Sequence, residues 1–95
     1  MAAPAGAPAS GALHVVVISP EQTIFDGDAD AVVAPAWDGE VGILRGHAPM
    51  MAVLGSGQVR VTRGSSVERF QVEGGFLQVI DNVVTVLSEK AGTAA

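Results

Sequence analysis

Between Leu13 and Leu87 no window of ten residues repeats its apolar positions at helical period. Short apolar or alternating runs are cut instead, at near-regular spacing, by Gly, Pro or Asx-Gly signals. Helices need ten or more periodic residues, whereas strands of four to eight fit between such breaks. Strands are therefore predicted at 13–19, 22–25, 30–36, 41–44, 50–54, 58–63, 67–73, 76–80 and 83–87. Gln58 to Arg63 alternates cleanly, with Val59 and Val61 inward; Val67 to Glu73 turns Phe70 and Val72 inward. Leu13 to Ser19 is apolar on both faces, which predicts a strand covered on both sides. Asp26-Gly27 is read as a turn closing the second strand, and Pro35 confines its strand's end to an edge or bulge. Gly74-Gly75 marks a close approach of backbones. Asp81-Asn82 suits the left-handed pair of a two-residue hairpin. The fold class is all-β: a small antiparallel β-sandwich or flattened barrel of about nine or ten short strands.

The chain has 95 residues, enough for one small domain. A domain of this size buries roughly 60–65% of its unfolded surface, so packing must be good or a partner must help. Residues 1–12 are almost all Ala, Pro, Gly and Ser and are read as a disordered tail; the domain spans 13–89, and 90–95 form a short C-terminal tail. No run approaches the ~20 apolar residues of a membrane-spanning helix. The absence of cysteine excludes disulfides, thiolate metal sites and a cysteine nucleophile. A net charge of −5 argues against nucleic acid as a partner.

The stretch least explained by folding is Asp38-Gly39-Glu40-Val41-Gly42-Ile43-Leu44-Arg45-Gly46-His47-Ala48-Pro49. It gathers acids, a cation and a histidine among glycines, and reads as a contact surface rather than a catalytic cleft. Asp38 and Glu40, two apart, could form an acid–base pair, but solvated turn acids are the plainer reading. Asp26, Asp28 and Asp30 alternate and could present three carboxylates to calcium, yet lack the 12-residue loop pattern. His14 and His47 cannot complete a zinc site without carboxylate help. His14 is read as a strand-face residue, and His47 as bonding its own loop or a partner. No catalytic, cofactor or metal residue is assigned.

This stretch closely resembles the signature of the epsilon subunit of F-type ATP synthases, the delta subunit of the mitochondrial enzyme. Ser19-Pro20-Glu21 with Ile24-Phe25-Asp26-Gly27 resembles the family's opening strands. Gly57 to Val61 resembles its middle hairpin. Gly74 to Val79 with Asn82 to Leu87 resembles its closing strands. The resemblance implies a non-catalytic β-sandwich of the central stalk, coupling the gamma subunit to the membrane c-ring beneath the catalytic alpha/beta head. It implies no cofactor, and a place on the cytoplasmic side of a bacterial inner membrane, touching the membrane only through the complex. Asp38, Glu40, Arg45, His47 and Pro49 are the interface candidates it gives. Glu40 matches the acid near the ring loops, and His47 the histidine of the Gly-His-Ala-Pro turn. Arg45 stands where many members have proline, and is expected to pair with Glu40 or a ring loop. Outward apolar residues such as Val16, Ile18, Phe76 and Ile80 are expected to face gamma. The family usually continues into two C-terminal helices that in many bacteria inhibit ATP hydrolysis and in some bind ATP; a chain ending at Ala95 is expected to do neither. The rival expectation is a stand-alone β-sandwich binding calcium or carbohydrate through residues 38–49, and a small acid hydrolase comes third.

Overall fold

The computed structural model describes residues 12–93, so the expected tail falls, but for Ala12, outside them. Ten strands follow in order: β1 (Leu13–Ile18), β2 (Thr23–Ala29), β3 (Ala31–Ala36), β4 (Gly39–Leu44), β5 (Met50–Val53), β6 (Ser56–Arg63), β7 (Ser66–Glu73), β8 (Phe76–Ile80), β9 (Val83–Leu87) and β10 (Lys90–Thr93). They form two five-stranded sheets, β2-β1-β9-β8-β5 (sheet A) and β10-β7-β6-β3-β4 (sheet B).

Alternation sets the sandwich. Val15 and Val17 of β1, Leu77 and Val79 of β8, and Val84 and Val86 of β9 are fully buried from sheet A. Val32, Val59, Val61 and Val72 meet them from sheet B. Each such side chain contributes roughly 1.5–3 kcal/mol relative to exposure, so a one-residue slip that turned a strand's set outward is strongly disfavoured. The predicted inward faces of β6 and β7 are the observed ones. Every strand pair is antiparallel except β1 with β9, which run parallel from His14↔Val83 to Ile18↔Leu87. Parallel neighbours need a long connection, and here nearly the whole domain lies between them.

Three sequence expectations change. The second strand does not stop at Phe25: β2 continues through Asp26-Gly27 to Ala29, in register with β1 from Leu13↔Ala29. Gly27 is not among the left-handed residues. A side chain there would meet the Phe25 ring at 3.2 Å, so this glycine makes room for the ring rather than for a turn. The ring in turn packs at 5.3 Å from Phe70, linking β2 to sheet B. Residues 90–93, read as part of a tail, form β10 against Glu73–Phe70 of β7. Its support is Ser88, whose buried hydroxyl donates to the Lys90 carbonyl at 2.5 Å and accepts from the Glu73 N–H at 3.2 Å. Such tertiary pairing outweighs the weak intrinsic preference of Lys-Ala-Gly-Thr. Finally, β1 is sealed along its inner face, whereas on its outer face His14 is covered but Val16 and Ile18 are half-buried.

Gly75 and the Asp81-Asn82 pair behave as read. A Cβ at Gly75 (φ 103°) would lie 1.9 Å from the Leu87 carbonyl oxygen, so only glycine fits. Asp81 (φ 48°) and Asn82 (φ 64°) form the left-handed turn between β8 and β9. β3 pairs with β6 only over Ala31–Val33, so that ladder ends before Pro35, which has no N–H to give it.

Candidate functional site

The stretch 38–49 does not form one cluster. Trp37 and Asp38 are the two-residue tip of the β3–β4 hairpin, closed by Ala36↔Gly39. Arg45 to Pro49 form the β4–β5 connection at the other end of β4. The six residues of β4 hold these ends about 20 Å apart, at roughly 3.3 Å per residue. Asp38 and Glu40 therefore belong to one end of the sandwich, and Arg45, His47 and Pro49 to the other.

Glu40 is already paired. Its carboxylate accepts from Arg60 Nη1 at 3.1 Å and Nη2 at 3.2 Å. β3 lies between the two strands, with Val33 beside Arg60 and Pro35 beside Glu40, so the pair spans the outward face of β3. The expected Arg45–Glu40 pair is thus not formed, because Arg60 holds Glu40 in a bidentate geometry from the third strand over. Asp38 and Arg45 are exposed and carry no hydrogen bond or ion pair among the described residues.

At the opposite end, the His47 N–H donates to the Leu44 carbonyl at 3.1 Å and closes a turn. His47 Nδ1 donates to the Ala48 carbonyl at 2.7 Å, which ties one edge of the ring to its own loop and leaves Nε2 as an acceptor. Asn82 fastens this loop to sheet A: its Oδ1 accepts from Gly46 N–H at 2.7 Å, while its carbonyl accepts from His14 N–H at 2.8 Å.

Asp26, Asp28 and Asp30 do not share one site. Asp26 and Asp28 point to one side of β2 and flank His14, with His14 Nε2 2.5 Å from Asp26 and Nδ1 3.0 Å from Asp28. His14 is thereby 6% exposed on the outer face of sheet A. Asp30 accepts from Gly64 N–H at 2.7 Å instead, across the β2–β3 corner. Among the described residues no three His, Cys, Asp or Glu side chains are grouped to hold a metal ion.

A further candidate surface is the outer face of sheet A. Register places Val53, Phe76, Leu87 and Ile18 in one row across β5, β8, β9 and β1. Met51, Gln78, Thr85 and Val16 form the next row, and Ile80, Val83 and His14 the third. Five of the eight exposed large apolar side chains of the described chain, Met51, Val53, Phe76, Ile80 and Leu87, stand here. An apolar face of this kind marks an interaction surface rather than ordinary solvent exposure. Val16, Ile18, Phe76 and Ile80 all lie on it. Met51, Val53 and Leu87 escaped the sequence reading, since Met50-Met51-Ala52-Val53-Leu54 is apolar throughout and Val83-Val84-Thr85-Val86-Leu87 nearly so, and neither run reveals which side faces out. Trp37, 75% exposed, was also missed; the only signal was a tryptophan beside an Asp-Gly turn.

Residues 12–94 match the family model described as the β-sandwich domain of the ATP synthase delta/epsilon chain. An ATP synthase epsilon chain of Rhodopirellula baltica is 48% identical over 79 residues, covering 83% of this chain and 62% of that one. An ATP synthase epsilon chain of Caulobacter vibrioides is 40% identical over 83 residues, covering 87% of this chain and 96% of that one. The chain thus spans less than two thirds of the first relative and nearly all of the second. Among solved structures, a chain in the cryo-EM structure of the Euglena gracilis mitochondrial ATP synthase (OSCP/F1/c-ring) superposes with a TM-score of 0.81 at 23% identity, covering 87% of this chain and 54% of that one. At that identity the likeness concerns the fold.

Proposed function

The chain belongs to the ATP synthase delta/epsilon-chain family, and from that premise we propose that it is a non-catalytic subunit of the central stalk, coupling the gamma subunit to the c-ring. The observation that carries this reading is the family match over 12–94. The apolar outer face of sheet A supports it, because it suits a protein partner that covers a broad flat area. Gamma packs on that face, and the catalytic alpha/beta head is reached through gamma. The ring contact is made at the β3–β4 tip, where Asp38 is the unpaired acid and Glu40 with Arg60 is a preformed ion pair. Arg45, His47 and Pro49 serve the gamma side at the far end of β4. The subunit sits on the cytoplasmic side of a bacterial inner membrane, attached through the complex.

A rotor coupling transmits force rather than performing chemistry, so stiffness is the relevant property. A sandwich whose two sheets close-pack their buried side chains against each other supplies it. Charge at the ring end sets orientation and partner choice more than affinity. The calcium or carbohydrate reading has no support in the relatives. Its loop is split between two ends, and no metal-binding group is assembled among the described residues.

The test is charge reversal at the ring end in the assembled enzyme. Asp38→Lys with Glu40→Lys should leave the isolated domain folded but lower ATP-driven proton pumping in membranes. Unchanged pumping with normal incorporation of the variant would remove the ring contact from this end.

A further inference from the structure

We propose that Arg60 is a positioning residue of the ring contact: it fixes the Glu40 carboxylate, so that the c-ring meets a preset ion pair at this end of the sandwich and not a free acid. This inference rests on the reading of the β3–β4 end as the place where the ring is met.

Glu40 has little on its own strand to direct it. It stands on β4, an edge strand of sheet B, with Gly39 (φ 135°) before it and Gly42 two residues on. Glycine restricts the backbone least, and a Cβ at either position would meet nothing within 4 Å. The β3–β6 ladder runs from Ala31↔Thr62 to Val33↔Arg60 and stops there, whereas Glu40 is level with Pro35. Beyond Val33 the hydrogen-bonded tie from β6 to this end of β4 is made by the Arg60 side chain.

Two features aim Arg60 at Glu40. Its register partner on β7 is Arg69, and like charges directly opposite repel, which favours the direction across β3. The guanidinium fork then engages both carboxylate oxygens, Nη1 with Oε2 at 3.1 Å and Nη2 with Oε1 at 3.2 Å, and so sets direction as well as distance. In the free chain both side chains are partly solvated, and the pair contributes little. A ring loop laid over it removes that water. The pair then strengthens, and a carboxylate or guanidinium left alone there becomes costly. A lysine at position 60 would supply the charge but not the fork.

The test reads one double-mutant cycle in two ways. The full chain, Arg60→Met, Glu40→Gln and the double variant are unfolded in urea; each is also assembled with the head and gamma and titrated with purified c-ring in detergent. Either single variant should weaken ring binding at least about tenfold, and the double variant should bind no worse than either, because nothing is then left unpaired. Arg60→Lys should recover part of the loss. The urea midpoints should move little, and the interaction seen in unfolding should be the smaller of the two. An interaction no larger in ring binding than in unfolding would overturn the role of Arg60 and leave the subunit reading intact. Unchanged or tighter ring binding by Arg60→Met, with a loss in Glu40→Gln, would overturn it in favour of a free Glu40 met directly by the ring. A head–gamma complex that binds the ring equally well with and without the chain would overturn the ring-contact reading itself.

Discussion

The Asn82 side chain accepts the Gly46 N–H at 2.7 Å, joining the closing hairpin of sheet A to the loop that follows β4 of sheet B. Asn82 meets two demands: a left-handed backbone (φ 64°) and a side-chain acceptor. Asn82→Gly keeps the first and loses the second, and should change stability by no more than about 1 kcal/mol while raising hydrogen exchange at Gly46. Asn82→Val loses both, and should cost about 1–3 kcal/mol in urea denaturation. Equal costs for the two variants would mean that the backbone conformation is not what this position selects.

Gly74 and Gly75 separate steric exclusion from mild strain. At Gly75 the obstacle is the Leu87 backbone itself, so Gly75→Ala should cost at least about 3 kcal/mol, or prevent folding. At Gly74 (φ 68°) the nearest atom is the Glu89 carboxylate, which can swing away. Gly74→Ala should then cost about 1 kcal/mol, the ordinary penalty of a left-handed alanine. Soluble expression and urea midpoints rank the two.

His14 ties β1 to the edge strand β2 through two carboxylates on the outer face. His14→Ala should cost about 1–2 kcal/mol and raise hydrogen exchange at the paired amides of β1 and β2. Asp26→Asn should cost less than about 1 kcal/mol, since the Asp26 side chain is 56% exposed and water replaces much of what is lost. A larger loss from Asp26→Asn than from His14→Ala would contradict this ordering.

The Arg60–Glu40 pair is bidentate but partly solvated, with side chains 35% and 55% exposed. A double-mutant cycle with Arg60→Met and Glu40→Gln should yield a coupling of at most about 1 kcal/mol, falling as salt is raised. A coupling near zero at low salt would mean that the pair leaves both ends free to meet a partner.

Where one face is dry and the other wet, the sequence was readable. The alternation of β6 and β7 announced its buried side, and Asp81-Asn82 announced its turn. Three features escaped because they depend on residues far away in the chain. Asp26-Gly27 carries the local chemistry of a turn, but continuous pairing with β1 and the Phe25 ring over Gly27 keep it extended. Lys90–Thr93 has weak strand preference and acquires order from β7 and the Ser88 hydroxyl. Glu40 and Arg60 are twenty residues apart and meet only because β3 lies between their strands. The candidate site suffered most from this. Residues contiguous in sequence from Asp38 to Pro49 were read as one surface, and the extended geometry of β4 separates them.

The central claim, membership of a working stalk, is most directly tested by recovering the tagged full chain from membranes of the organism that makes it. Mild detergent keeps the ATP synthase whole, and mass spectrometry identifies what accompanies the chain. The account predicts gamma together with the alpha, beta and c subunits in constant ratio. Recovery of the chain alone, from membranes whose ATP synthase is otherwise intact, would contradict it.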